Sequence, residues 1–200
     1  MSPAVVIATK HFYWCFVAMT TPVVLWQKGI FPMMQVNEML VKLEPKKWRT
    51  VRIGTYSSME EFLQALSSGG FRISPSAADI LKKTPLAQAE TEIELVLVNP
   101  RNLGFTERPR RDEIYNRAQE LGLDLLPAEV GPQLRLQYAD QLRDELLMIG
   151  MDPIADSGRY LREFYVERDE QGHWLGAYWG LPSEVWHLDS LWVFTPHKRD

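Results

Sequence analysis

The stretch REFYVERDEQGHWLGAYWG, residues 162–180, constrains the fold more than any other part of the chain. Two runs rich in aromatic and apolar residues flank Asp169-Glu170-Gln171-Gly172, a composition suited to a tight turn. The pattern predicts a β-hairpin, and therefore an antiparallel element in whatever sheet the chain builds. Side chains alternate along a strand, so Trp174, Gly176 and Tyr178 share one face and Leu175, Ala177 and Trp179 the other. With large aromatics on both faces, one face belongs to a core. The other is a candidate platform for a ligand or partner, with Trp186 and Trp192 following in the same aromatic-rich region.

Further strands are predicted at 48–56, 91–98, 145–151 and 191–195, where β-formers run between turn signals. The stretch LLPAEVGPQLRLQY, residues 125–138, begins as a turn bracketed by Pro127 and Pro132. It then alternates Gln133, Arg135 and Gln137 with Leu134, Leu136 and Tyr138, and this predicts another strand with one polar face. Three helices are predicted. Met59, Phe62, Leu63 and Leu66 make an apolar stripe, opened by a Ser58–Glu61 capping box and closed by Gly69-Gly70. Ser74 and Pro75 start the second, with Pro85 beyond its end. Ile114, Tyr115, Ala118 and Leu121 line one face of the third, which Gly122 ends. Helices interleave with strands early and strands dominate late. The expected fold is a single α+β domain over residues 34–200, about three helices packed on a largely antiparallel sheet of five to seven strands.

Residues 1–33 differ in character. Residues 11–27, between Lys10 and Lys28, carry no formal charge. That length is at the short edge of what spans roughly 30 Å of hydrocarbon, and His11, Thr20, Thr21 and Pro22 weaken it further. No small-x-small cleavage site follows. An appendage or a mis-assigned start is expected, with a docked segment or a genuine membrane anchor as the alternatives.

The net charge is −4, and residues 34–200 carry 20 basic against 26 acidic residues. Such a body lacks the clustered Lys and Arg that phosphate backbones require, which disfavours nucleic acid as a partner. The single cysteine, Cys15, excludes an intrachain disulfide and a multi-cysteine zinc site, and fits a reducing, cytoplasmic setting. No phosphate-binding glycine loop, nucleophile elbow, His-Glu-x-x-His or Cys-x-x-Cys occurs, so no cofactor is expected.

Several residue sets carry chemistry. Glu129, a carboxylate among apolar residues, is the candidate acid or base, with Arg135 as its pairing group; a turn residue accepting backbone N–H bonds is the alternative. Asp152 and Asp156, with Glu145, are oxygen ligands in kind, but they sit in ordinary turn-forming sequence. His173, His187 and His197 lack metal-ligand spacing, and no metal is expected. Arg108-Pro-Arg-Arg111 reads as a solvated basic cluster ahead of a helix.

The segments IYNRAQELGLDLLPAEVGPQLRLQYADQ, LLMIGMDPIADS and WLGAYWGLPSEVW…LWVF together resemble a recurrent family of uncharacterised bacterial proteins. The resemblance covers roughly residues 48–196 and leaves out the N-terminal stretch. In that family a cysteine often stands where this chain has Leu126, so any thiol chemistry of relatives has no counterpart here. Nor does the chain keep the usual Pro-x-Gly-Glu-Trp after Gln141. The resemblance implies no catalytic residues. The expectation is a binding or accessory protein acting on a protein partner or small ligand through Gln133, Gln137, Trp174, Tyr178, Trp179 and Trp186. The alternative is a small hydrolase- or transferase-like enzyme using Glu129 and Arg135.

Overall fold

The computed structural model of the chain describes residues 46–197. The 162–180 stretch forms the predicted hairpin. β7 (Leu161–Asp169) and β8 (Gly172–Trp179) pair antiparallel along their whole length, with Glu163 opposite Tyr178 and Tyr165 opposite Gly176. The turn closes because the Asp169 carboxylate accepts from the N–H groups of Gln171 and Gly172 at 2.7 and 3.0 Å, and Gly172 takes φ 129°.

The hairpin sits toward one edge of a mixed sheet ordered β1-β3-β9-β5-β7-β8-β2. β1 (Lys47–Ile53) and β3 (Thr91–Val98) pair antiparallel, and β3 pairs antiparallel with β9 (Leu191–Pro196). β9 runs parallel to β5 (Glu145–Ile149), which pairs antiparallel with β7. The two-residue strands β2 (Arg72–Ile73), β4 (Leu123–Asp124) and β6 (Ile154–Ala155) attach to β8, β9 and β7. Among the described residues the architecture is therefore α+β with nine strands, more than the five to seven expected. Strands of two residues carry no periodicity that a sequence could display.

Two apolar layers follow from strand alternation. Leu147, Ile149, Val193, Phe164 and Val166 face helices α1 (Met59–Ser68), α2 (Pro75–Leu81) and α4 (Val130–Gln137). Met148, Trp192 and Phe194 face α3 (Arg111–Glu120). The predicted caps hold: Ser58 and Ser74 accept from Glu61 N–H and Ala77 N–H at 3.2 Å each, and Pro75 opens α2. Glu61 turns back to Ser57 rather than to Ser58.

The fourth helix corrects the expectation of a strand at 133–138. Residues 130–137 are helical, and the apparent period of two is a coincidence of burial. Val130 through Arg135 are all buried, so polar and apolar residues alike point into protein and no apolar stripe stands out. Pro132 lies in the first turn, where its missing N–H leaves no intrahelical bond unmade. Gly131 allows close approach to β7, since a Cβ there would come within 2.7 Å of Phe164 Cβ. Among the described residues no helix is long and apolar enough to cross a membrane. Residues 11–27 and Cys15 lie outside the described residues.

Candidate functional site

Glu129 stands at the N-terminal end of α4 and is 1% exposed. One carboxylate oxygen accepts from Gly54 N–H at 2.7 Å and from Gln133 Nε2 at 3.0 Å; the other accepts from Ala87 N–H at 2.6 Å. Helical spacing then extends a ladder. Gln137 Nε2 donates to Gln133 Oε1 at 3.1 Å and to Arg52 C=O at 2.8 Å, while Arg52 N–H donates back to Gln137 Oε1 at 3.0 Å. Gln133 also donates to Thr55 Oγ1 at 2.8 Å. Glu129, Gln133 and Gln137 thus bind the end of β1 and the 86–88 segment to α4, with backbone amides standing in for a cation. Arg52, Thr55, Tyr56, Glu90, Gln133 and Gln137 border an open depression of about 490 Å³.

Arg135 is not brought to Glu129. Six positions along a helix it projects elsewhere, and its guanidinium bonds Gln141 Oε1, Tyr138 C=O and Glu167 C=O. Glu145 accepts from Tyr138 Oη at 2.8 Å, at the opposite end of β5 from Asp152. Asp156 pairs with Arg162 at 2.9 Å and also accepts from Tyr160 N–H, which holds it below the ordinary carboxylate range. His187 lies against Arg108 and His197 against Asp124. No three His, Cys, Asp or Glu side chains converge among the described residues.

The basic cluster divides. Arg110 pairs with Asp112 at the surface, but Arg111 is buried, correcting its reading as solvated. It forms an ion pair with Glu163 of β7, which is 0% exposed. Tyr115, one helical turn after Arg111, donates to Glu163 at 3.0 Å, and its oxygen accepts from Met151 N–H at 3.1 Å. Burial pushes Glu163 up to about 7 against the opposing Arg111 charge and the Tyr115 hydrogen bond, with Asp152 adding to the rise. Burial likewise raises Tyr115 well above the usual phenol range. The sequence showed no sign of this group, because its members come from α3 and a distant strand.

The aromatics of the hairpin meet at one end. Trp179 is 37% exposed and packs edge-on against Tyr160, with the Arg162 guanidinium 3.8 Å from its ring centroid. Tyr178, on the opposite face, meets Trp186 at 5.2 Å, and Trp186 leans on the fully buried Trp192. Trp174 lies nearer the turn, with Arg72 5.3 Å from its ring. Tyr178 and Trp179 therefore belong to one exposed tip, whereas Gln133 and Gln137 belong to the α4 ladder; they do not make one surface.

At this tip the outer edge of β8 has no strand paired to it among the described residues, with α2 packed nearby. β2 pairs it only at Trp174 and Leu175, where Leu175 C=O accepts from Ser74 N–H. The even-numbered residues of β8 turn their main-chain groups to β7, and Gly180 N–H continues this by donating to Leu161 C=O. Ala177 and Trp179 consequently aim N–H and C=O outward, with no strand beside them among the described residues. Of the seven large apolar side chains exposed among those residues, Tyr160, Tyr178 and Trp179 lie here, and Leu181 follows two residues after Trp179. No family model matches the chain, and comparison with curated proteins and with solved structures finds no match.

Proposed function

We propose that this chain is a bacterial, cytoplasmic accessory protein that binds an extended segment of a protein partner along the outer edge of Ala177–Trp179. The unpaired edge beside an exposed aromatic tip carries this reading. Unpaired main-chain groups offer a ladder of hydrogen bonds, and side chains alternating to either face offer selectivity. Tyr178 and Trp179 project to opposite faces, so an added strand would be gripped from both sides. Trp179 is held in place by Arg162 and Tyr160 and needs little ordering on binding. The bacterial and cytoplasmic setting draws on the family resemblance and the single cysteine.

An enzymatic reading through Glu129 and Arg135 draws less support from the geometry, since the two are apart and both Glu129 oxygens are engaged.

The test is affinity capture from a bacterial lysate with the full chain, comparing wild type, Trp179→Ala and Ala177→Pro. Proline at 177 removes one outward N–H and spares the ladder to β7, a placement edge strands tolerate. A partner held by wild type should be lost on Ala177→Pro and weakened about 30-fold by Trp179→Ala, as for a central aromatic anchor. Retention by both variants, with unchanged circular dichroism, would sink the reading.

A further inference from the structure

At the turn end of the β7–β8 hairpin stand two arginines, Arg135 and Arg168, whose hydrogen bonds among the described residues go to no carboxylate. Arg135 is 0% exposed, yet its hydrogen bonds go to an amide oxygen and two carbonyls, at 2.5 Å to Gln141 Oε1, 2.5 Å to Tyr138 C=O and 3.3 Å to Glu167 C=O. Its Nε has no partner among the described residues. Arg168 donates to Gln141 C=O at 2.6 Å. Neither arginine forms an ion pair among the described residues. A buried charge without a counter-charge is costly. Burial and then the neighbouring Arg168 bring Arg135 down to about 10, against the pull of Tyr138 and Glu145. His173 stands beside both; burial, Arg135 and Arg168 depress its pKa, and its buried Nε2 has no partner among the described residues.

Arg168 and His173 open on a surface pocket of about 340 Å³, closed on its other sides by Arg143 and the 169–172 turn. The two acids at its rim are engaged already. Asp169 accepts from the turn amides, and the exposed Glu170 is paired with Arg143 at 2.5 Å. Glu170 is free to swing away if a better acceptor arrives.

We propose that this pocket binds a phosphate group, with Arg168 and Arg143 as its charged donors and the buried Arg135 supplying field from behind. A doubly charged tetrahedral anion suits guanidinium groups approaching from separate elements, and it supplies the counter-charge that the fold omits. The inference is independent of the edge-binding reading.

Isothermal titration calorimetry of the full chain at low ionic strength tests it, with inorganic phosphate and glycerol phosphate as probes. Saturable binding of at least one probe is expected in wild type and in Arg159→Gln, an exposed arginine elsewhere. Arg168→Gln should weaken it by about tenfold or more, the worth of one charge-assisted contact. Preference for glycerol phosphate would identify a phosphomonoester as the ligand, and preference for inorganic phosphate the free ion. Binding of neither probe, or equal affinity in Arg168→Gln, would overturn the proposal. Should Arg168→Gln fail to fold, the exposed Arg143→Gln serves the same comparison.

Discussion

A carboxylate buried against a guanidinium stabilises a fold only when its remaining lone pairs are met, and one oxygen of Glu163 has no partner among the described residues. The folded state accordingly holds the Glu163 proton more tightly than an unfolded chain, with a pKa near 7 against an ordinary 4.5. Its contribution to stability is fully present below pH 4.5 and is lost as pH rises to about 7. The difference corresponds to about 3 kcal/mol as an order of magnitude. Urea unfolding followed between pH 4.5 and 8 should show this decline, and Glu163→Gln should flatten it. A wild-type stability that stays level or rises, relative to the variant, would contradict the assignment. This residue was invisible in the sequence, since Arg-Pro-Arg-Arg before a helix looks like solvated charge. Glu129 and the hairpin aromatics were visible because each breaks its local pattern.

Helices α1, α2 and α3 and every strand longer than two residues could be read from caps, turns and periodicity. α4 could not. Its Gln133 and Arg135 are buried in hydrogen bonds to Thr55 and to Gln141, so burial no longer tracks polarity and the 3.6-residue period is erased. Close packing rather than amphipathicity holds the helix to the sheet. Gly131→Ala would force Phe164 aside, at a cost of about 1–3 kcal/mol by analogy with overpacked cores. Thermal denaturation should therefore show a lower Tm for Gly131→Ala even though alanine favours helix; an unchanged or higher Tm would mean that α4 does not press on β7.

Across the molecule, stability should grade from the middle of the sheet to its edges. β9 has strands on both sides and a core on both faces, with Val193 in one and Trp192 and Phe194 in the other. Its paired amides should exchange only through global unfolding, while those of β2 and of the two-residue β6 open locally and exchange far faster. Hydrogen–deuterium exchange with peptide-level resolution checks this; uniform protection across the sheet would argue against a single cooperative centre. The central place of β9 also bears on how the chain is made. A ribosome delivers β1 and β3 early and β5, β7 and β8 later, but the strand that joins these two groups emerges last of the nine. Until residue 196 clears the exit tunnel, the facing edges of β3 and β5 have nothing between them. The nascent chain must keep two half-sheets apart, or in the care of a chaperone, until β9 has emerged.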